Sequence, residues 1–416
     1  FKQKTAYEIG VRLVGSEMCI RDRYSDPVHW PVLMHGAHIL AEKKASIIML
    51  GAQNIKEESN RVQFTTHQNI KIKLLGYVSP GLLQKIHYLF FNIWILAHVL
   101  IWRPNVVYAS EKLVCPIAYL IKKFFRRIKL IYFEPMYAGV GSDIKPKLVR
   151  EYRKKLAAIA DLCMLPNEPR LEKFIEDVGD HGNAIFVYNL PRHQEFEEIP
   201  IREQNMKEKL KLFCFGHIGA DRLPPELFEA LEELKDEVEL VIAGIDRYRD
   251  PEGKYSYTQL IQNEIKKRSL ENNVNLVGLI KKRSDLLEQC SKADVGLAFT
   301  GKTTVVNIQT KFTTEGDVLV PEFSMAGTSQ RPFEYMGLGL VLLVTDLKEW
   351  EDFFVKDGYG YSCDSESSES IKDVLLELYQ KKDELYEQGK SNKEKILSEW
   401  NYSNDCLLYT SDAADE

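Results

Sequence analysis

Apolar residues recur along this chain in short runs that are separated by longer segments of helical periodicity. Residues 46–50 and 128–133 form apolar runs of strand length, and residues 31–44 and 111–126 repeat apolar positions at the spacing of a helix. A second series of the same kind starts at Leu210. Strands that alternate with helices of this length predict parallel sheets that are covered on both faces.

The segment 191–209 separates the two series, because it is highly charged, contains Pro200 and shows no apolar period. The chain of 416 residues also exceeds the length of one ordinary domain. We therefore predict an α/β fold of two Rossmann-like domains that face each other across a cleft. The predicted domains are residues 24–190 and 210–385, and the linker between them is 191–209.

Both ends of the chain lack the organisation of the rest. Residues 1–23 and 406–416 show no helix cap, no amphipathic period and no signal-peptide pattern, and they resemble translated sequencing-adapter read-through. We interpret them as non-native tails; the alternative is a pair of genuine but irregular termini. On this interpretation the first strand of the N-terminal domain is missing, and the alternating run 9–14 is an accidental substitute for it.

Composition and charge exclude several classes of protein. The formal net charge of −6 argues against a general nucleic-acid binder, so we expect no nucleic-acid partner. The seven cysteines form no Cys-x-x-Cys pair and no cluster with the spacing of metal ligands. Cys115, Cys163 and Cys214 lie in apolar runs, as expected of core residues in a reduced, cytoplasmic protein.

The most informative segment is 328–346, where a small polar turn leads into a short helix, a glycine break and a buried apolar strand. The start of such a helix offers free backbone N–H groups and a partial positive charge to an anion. Arg331 adds a cation with a forked set of donors, and the carboxylate of Glu334 follows one turn later. These groups could hold the diphosphate and the ribose of a nucleotide. The alternative is a buried strand–helix junction with a surface Arg–Glu pair.

This order of residues resembles the donor-binding segment of retaining glycosyltransferases of family 4, or group 1, which have the GT-B fold. The resemblance implies that Arg331 binds phosphate, that Glu334 binds ribose and that Ser329 belongs to the same donor site. The family's fuller motif has a second glutamate, which contacts the donor sugar. Here that position is Ala326, and Glu322 lies out of register.

The resemblance covers most of residues 24–402 and is more specific in the C-terminal half. It implies that the last helical segment, within 386–405, crosses back to the first domain, where Trp400 would anchor it. The long loop 301–327 is either a lid that becomes ordered on donor binding or an insertion without function.

A glycine-rich turn, Gly216-His-Ile-Gly-Ala-Asp-Arg222, follows the first strand of the second domain. Gly216 and Gly219 let the backbone approach a phosphate closely. By resemblance Arg222 binds the diphosphate, and with Arg331 it would stabilise the negative charge on the leaving nucleoside diphosphate. Arg222 is otherwise a solvated arginine at a helix start. His217 either contacts the donor phosphate or fills the turn.

Three further positions have roles that the resemblance implies. Gly244 begins a loop that approaches the base or the sugar, unless it is a plain surface loop. Leu279 lies in a segment that lines the nucleobase pocket through its backbone. Glu134 matches the acidic member of a histidine–acid pair near the acceptor, although Phe133 replaces the histidine. Glu134 is then an acceptor-side base or hydrogen-bond partner, or else a structural residue.

The apolar segment 89–102 is either a buried core helix or an element that contacts a membrane. Asn92 and His98 interrupt it, and it is shorter than the roughly 20 residues that a membrane span requires. The basic and aromatic run 122–129 belongs to the same domain. Together the two segments could press that domain against an anionic leaflet.

We therefore interpret the chain as a glycosyltransferase of the hexosyltransferase type. It would move a sugar from a nucleotide sugar to a cell-envelope glycan or a lipid-linked acceptor, with retention of configuration and without a metal or another cofactor. We expect it in the cytoplasm at the inner face of the plasma membrane, with peripheral membrane contact through the N-terminal domain. Two alternatives remain open: a nucleotide-sugar 2-epimerase on the same fold, and a catalytically degenerate partner subunit, which Ala326 and Phe133 favour.

Overall fold

The computed structural model describes residues 17–21, 26–27, 30–53, 63–64, 67–79, 81–135, 147–202, 208–246, 256–301 and 326–407. The chain divides into two compact units. The first comprises Phe1–Pro191 with Tyr402–Glu416, and the second comprises Arg192–Asn401.

The first unit contains a parallel sheet in the order β3-β2-β1-β4-β5-β6-β7. Its inner strands are near-continuous apolar runs, as expected where helices cover both faces of a sheet. The strands are β1 (Glu17–Arg21), β2 (Ser46–Ala52), β3 (Ile70–Leu75), β4 (Val106–Ser110), β5 (Lys129–Phe133), β6 (Leu162–Leu165) and β7 (Ala184–Phe186).

The central position of this sheet is occupied by a strand from the segment that we interpreted as a non-native tail. β1 pairs in parallel with β2, where Glu17 faces Ser46, and with β4, where Met18 faces Val106. The strand thus lies within the predicted tail 1–23. The run 9–14, which was the expected substitute, lies outside the described residues.

The second unit repeats the arrangement with a parallel sheet in the order β10-β9-β8-β11-β12-β13. This is the strand order of a Rossmann fold, and the predicted α/β class with two Rossmann-like sheets is confirmed. The strands are β8 (Leu210–Ile218), β9 (Val238–Asp246), β10 (Val274–Gly278), β11 (Val295–Ala298), β12 (Val341–Thr345) and β13 (Gly360–Cys363).

Helices connect the strands in both units. The first unit has helices Pro31–Glu42, Leu82–Trp102, Cys115–Phe124, Lys147–Ala157, Glu168–Val178 and Tyr402–Leu407, with a 3-10 turn at Lys112–Val114. The second has a 3-10 turn at His193–Glu195, helices Pro225–Glu233, Tyr257–Lys267, Arg283–Cys290, Gln330–Gly337 and Lys348–Trp350, a π turn at Glu351–Val355, and helices Ser368–Gln380 and Lys382–Ser398.

The described part of the predicted linker packs onto the second unit. Phe196 is fully buried there, beside Gly337, and the Arg202 guanidinium binds the Asp294 carboxylate at 2.6 Å. The two contacts fix this segment in place, so residues 192–202 form part of the second unit.

The return to the first unit is confined to the last helix. Helix Lys382–Ser398 belongs to the second unit, and the Trp400 ring stacks on Phe353 of that unit at 5.2 Å. The expectation that Trp400 anchors the chain in the first unit is therefore wrong. Tyr402 has that position, since its N–H donates to the carbonyl of Pro191 at 2.9 Å.

The helix Leu82–Trp102 contradicts one of the two interpretations of the apolar segment 89–102, that of a buried core helix. It has 21 residues, long and apolar enough by length and composition to cross a membrane. However, only Phe91, Ile95 and Val99 are buried, so it is not a buried core helix. The predicted core cysteines, in contrast, are confirmed: Cys115, Cys163 and Cys214 are buried thiols.

Candidate functional site

The second sheet opens between β8 and β11, at the point where its strand order reverses. β8 pairs with β9 over its full length, but it pairs with β11 only at Leu212 and Phe213. Beyond Phe213 the two strands diverge. In open α/β sheets the crevice outside the carboxyl ends of such strands is the usual ligand site.

Helix Gln330–Gly337 fills the base of this opening with the side chain of Tyr335. The Phe215 N–H, on the diverging part of β8, donates to the Tyr335 hydroxyl at 3.2 Å. The ring lies so close to β11 that a Cβ atom on Gly296 would be 2.2 Å from its Cγ atom. The glycine therefore lets the helix approach the sheet, and the tyrosine bridges both strands.

Arg331 lies one turn before Tyr335 and is almost fully buried in the same opening. Its Nη2 group donates to the Phe299 carbonyl, just after β11, at 2.9 Å, and Nη1 lies 3.8 Å from the Cys214 sulfur on β8. Its Nε group is buried and has no hydrogen-bond partner among the residues that the structure describes. A buried cation with an unused donor is a binding group for an anion.

Arg222 shares this neighbourhood with Arg331. Its Nη1 atom lies 3.1 Å from the position that a Cβ atom on Gly216 would take, so the side chain lies against the end of β8. Burial raises the pKa of the Cys214 thiol, and the charges of both Arg331 and Arg222 act against that rise. The two arginines predicted to bind one diphosphate are therefore both close enough to the Cys214 thiol to lower its pKa.

Gly216 and Gly244 let the ends of β8 and β9 come together. The two glycines face each other in the strand register, and a Cβ atom on Gly244 would lie 1.9 Å from the Gly216 carbonyl oxygen. Gly216 also has φ of 109°, a conformation that favours glycine. A side chain at either position would block the strand ends beside Arg222.

Glu334 is buried and ion-paired within the second unit. The Arg283 Nη2 group donates to Glu334 Oε1 at 2.7 Å, and the same guanidinium grips Glu195 through Nε and Nη2 at 2.7 and 2.8 Å. Burial raises the pKa of Glu334, and Arg283 and Arg331 oppose the rise. The alternative of a surface Arg–Glu pair is therefore wrong, because Arg331 and Glu334 are both buried.

Sequence reasoning missed Arg283 and Glu195. Arg283 is the first residue of its helix, and Glu195 lies in the segment predicted to be a linker. Glu334 and Glu195 lie 51 and 88 positions away from Arg283 in the sequence, yet both bind its guanidinium. A local sequence pattern does not reveal contacts between residues so far apart.

For the remaining residues that were predicted to bind the donor, the structure gives a position but no contact that supports or contradicts the role. Ser329 is the N-cap residue of helix Gln330–Gly337, but its side chain makes no capping hydrogen bond. His217 is exposed near the end of β8. Gly219 is buried, and Leu279 is half-buried just after β10. Ala326 is buried and brings no carboxylate, and Glu322 lies outside the described residues.

Glu134 is engaged in a buried ion pair, which favours the structural role over that of an acceptor-side base. Arg153 donates to both of its carboxylate oxygens, at 2.7 and 2.9 Å, and the Tyr132 hydroxyl donates to one of them at 2.8 Å. Glu134 and Arg153 are 1% and 2% exposed. Both oxygens of this carboxylate therefore already accept hydrogen bonds from buried protein donors.

Glu111 is the acidic residue at this sheet edge with an unusual backbone. It follows β4 and has φ of 81° and ψ of 156°, a region that is almost restricted to glycine. The preceding Ser110 has a buried hydroxyl without a partner among the described residues. β4 pairs with the central strand β1, so Glu111 lies at the point of strand-order reversal in the first sheet.

The described residues contain no group of three His, Cys, Asp or Glu side chains that could hold a metal ion. The acidic side chains at the opening are instead paired with arginine, as Glu334 and Glu195 are with Arg283.

Comparison with known families identifies the second unit. Residues 195–396 match the family model of the glycosyl transferases group 1. The second unit is a group 1 glycosyl transferase domain. The match includes Arg222, Arg283, Arg331 and Glu334, so the opening described above lies within the family's own segment. The chain is therefore a glycosyltransferase. No curated protein sequence matches it.

Solved structures share the fold over almost the whole chain. A sucrose-phosphate synthase from Thermosynechococcus elongatus has a TM-score of 0.66 at 12% identity, covering 94% of this chain and 97% of its own. The Anabaena protein HepE in complex with UDP-glucose has a TM-score of 0.64 at 11% identity, and the match covers 96% of this chain and 98% of HepE. A trehalose-phosphate synthase from Burkholderia xenovorans in complex with glucose-6-phosphate has a TM-score of 0.65 at 11% identity. The match covers 96% of this chain and 100% of the synthase. The shared fold is GT-B, with two Rossmann-like domains.

Proposed function

We propose that the opening between β8 and β11 binds the diphosphate of a nucleotide sugar, and that this glycosyltransferase moves the sugar to an acceptor hydroxyl. The observation that carries the proposal is the buried Arg331, whose Nε donor has no partner among the described residues. Arg222 adds a second cation at the end of the same strand. Glu334, one turn from Arg331, would accept hydrogen bonds from the ribose.

The proposed reaction keeps the configuration of the sugar and needs no metal. The bond between the anomeric carbon and the diphosphate oxygen breaks, and its electron pair leaves with the diphosphate. The acceptor oxygen bonds to the same face of that carbon and passes its proton to the leaving diphosphate. Two guanidinium groups, Arg222 and Arg331, would supply the positive charge that a divalent cation supplies in other transferases.

The acceptor that we propose is a cell-envelope glycan or a lipid-linked sugar bound on the first unit, with the protein at the inner face of the plasma membrane. The exposed apolar helix Leu82–Trp102 supports a site of action at a membrane. Glu111, with its strained backbone at the carboxyl end of β4, is a better candidate than Glu134 for a contact with the acceptor.

Binding of UDP to the purified protein tests the donor site, because HepE was solved with UDP. Arg331→Ala should weaken UDP binding in calorimetry about tenfold to a hundredfold, as expected for the loss of charged hydrogen bonds. Lys292→Ala, at an exposed lysine in the turn after helix Arg283–Cys290 of the same unit, should bind like the wild type. Equal affinities for the wild type and Arg331→Ala would refute the proposed site. EDTA should leave turnover unchanged.

One observation favours a non-catalytic subunit: Ala326 stands where the resembled motif has a glutamate for the donor sugar. Product analysis with labelled UDP-sugars separates the possibilities. Transfer to an acceptor supports the transferase, while conversion of the sugar without an acceptor identifies an epimerase. Binding of UDP without either product would identify a degenerate subunit.

A further inference from the structure

The helix Leu82–Trp102 presents a row of large apolar side chains to solvent. Its buried residues, Phe91, Ile95 and Val99, are spaced four apart and form one narrow stripe against the first unit. A contiguous exposed apolar patch on a protein of this kind marks an interaction site. Eight side chains on the remaining surface are between 50% and 82% exposed: Leu82, Leu83, Ile86, Leu89, Phe90, Ile93, Leu100 and Ile101.

The sequence around this helix is almost free of acidic residues, although the whole chain has a net charge of −6. Between residues 59 and 133 it contains eleven lysines and arginines and a single acidic residue, Glu111. Helix Leu82–Trp102 itself contains no acidic residue. The positive charge is therefore concentrated on the part of the chain that carries the apolar row.

Several of the basic residues lie on or just after the helix that neighbours the apolar row. Helix Cys115–Phe124 runs beside helix Leu82–Trp102, because Tyr88 near the start of the latter donates to the Leu113 carbonyl at 2.5 Å. Trp102, which ends helix Leu82–Trp102, and Phe125, which directly follows helix Cys115–Phe124, both pack against the same core cluster. Four residues at the end of helix Cys115–Phe124 and just after it are exposed: Lys123, Phe124, Arg126 and Arg127. Lys122 is not one of them, since it binds Asp161 at 2.5 Å.

Two other ways of covering this face are less favourable. A spanning helix would expose every side to lipid, but Phe91, Ile95 and Val99 pack in the core of the first unit. A symmetric contact with a second copy would bring the same basic residues face to face, which like charges disfavour. An anionic bilayer satisfies both the apolar row and the positive charge.

We propose that the exposed face of helix Leu82–Trp102, together with Lys123, Phe124, Arg126 and Arg127, docks onto an anionic lipid bilayer. The helix lies in the plane of the membrane, with its apolar row among the headgroups and upper acyl chains, and its buried stripe keeps the unit attached. This surface gives the proposed transferase a place beside a lipid-linked acceptor. The docking itself does not depend on nucleotide binding, so the two proposals can fail separately.

Flotation of the full chain with vesicles tests the docking. We expect it to float with mixed phosphatidylglycerol–phosphatidylcholine vesicles, to float poorly with phosphatidylcholine alone, and to dissociate at high salt. The combined substitutions Lys123→Gln, Arg126→Gln and Arg127→Gln should weaken the binding about a hundredfold. The matched control carries Lys292→Gln, Lys356→Gln and Lys390→Gln, at exposed lysines of the second unit, and should bind like the wild type.

A second pair of variants tests the apolar row. Ile93→Ser with Ile101→Ser should weaken binding about tenfold or more, because two inserted side chains are lost. Leu260→Ser with Leu376→Ser removes two exposed apolar side chains from the second unit and should change nothing. All four positions are exposed, so the variants should keep the wild-type circular dichroism spectrum. UDP binding, measured on the same samples, reports separately on the nucleotide site.

Three results would overturn the proposal. The first is absence of the wild type from the floating fraction with anionic vesicles. The second is equal binding by the wild type and the glutamine triple variant. The third is a wild-type dimer in light scattering that Ile93→Ser with Ile101→Ser converts to a monomer while flotation stays unaffected, which would assign the face to a second copy.

Discussion

The Nη2 atom of Arg283 lies 2.7 Å from the Oε1 atom of Glu334 and 2.8 Å from the Oε2 atom of Glu195. One guanidinium therefore holds two carboxylates, one from the start of the second unit and one from the predicted ribose site. Because Arg283 is itself held by the fork to Glu195, it fixes where the Glu334 carboxylate lies. Arg283 is thus a positioning residue for the proposed nucleotide contact.

Arg283→Met should strongly destabilise the second unit. It leaves Glu195 and Glu334 facing each other without a cation, and breaking a buried ion pair in this way costs about 3–5 kcal/mol. Urea denaturation followed by circular dichroism measures the loss. Arg268→Met is the matched control, because the three partners of Arg268 are solvent-accessible glutamates, and such pairs contribute at most about 1 kcal/mol each. Similar losses in the two variants would contradict the role of Arg283.

UDP binding should decrease as the pH falls through the mildly acidic range. Burial raises the pKa of Glu334, so it takes up a proton at a higher pH than an ordinary glutamate with a pKa of about 4.3. The protonated group accepts hydrogen bonds from ribose less well, and affinity is lost. Calorimetry at successive pH values follows the loss, and Glu334→Gln should remove most of its pH dependence.

The same proton should change stability in the opposite direction. The pKa of Glu334 is higher in the folded than in the unfolded chain, so protonation favours the folded state. Its contribution to the free energy of unfolding increases as the pH falls through the raised pKa and is absent well above it. If Glu334→Gln retained the wild-type pH dependence of UDP binding, Glu334 would not be the titrating contact.

Gly389→Ala should destabilise the second unit, although alanine is the better helix former. A Cβ atom at Gly389 would lie 2.0 Å from the Gly339 carbonyl oxygen, so helix Lys382–Ser398 would have to move away from the segment after helix Gln330–Gly337. Overpacking of this kind costs about 1–3 kcal/mol. Thermal unfolding measures it, with the exposed Ser391→Ala as control. A higher melting temperature for Gly389→Ala would show that helix propensity prevails.

Glu111→Gly should stabilise the first unit and reduce transfer. Glycine adopts the φ of 81° without the strain of about 1–3 kcal/mol that a side chain experiences there, although its greater freedom when unfolded offsets part of the gain. Glu111→Gln keeps the strain and removes the charge. We expect Glu111→Gln to have the stability of the wild type and the reduced transfer activity of Glu111→Gly. Full turnover by both variants would exclude a role for this carboxylate with the acceptor.

The fold could be predicted from the sequence because its information is local. Buried parallel strands are short apolar runs, and the helices between them repeat at helical spacing, so the two sheets follow from the pattern alone. The segment around Arg331 was equally readable, since a helix start after a strand places its donors at the sheet edge. The central strand β1 was not predicted, because its apolar run from Met18 to Ile20 is only three residues long and lies in the segment interpreted as a tail.

The pairing of charged residues could not be predicted. Glu134 looks like a free acid at a strand end, yet Arg153, 19 residues away, engages both of its oxygens. The exposure of helix Leu82–Trp102 is a similar case. Hydropathy shows that a helix is apolar, but the neighbours that cover each of its sides come from distant parts of the chain.

The hydrogen bond from the Phe215 N–H to the Tyr335 hydroxyl has a consequence for ligand entry. A strand that leaves its neighbour normally exposes backbone donors, which favours closing the gap again. Here a phenol replaces the missing strand partner, so a side chain of the protein itself holds the groove open. A nucleotide can then bind without first separating two strands, and its binding energy remains for holding the diphosphate.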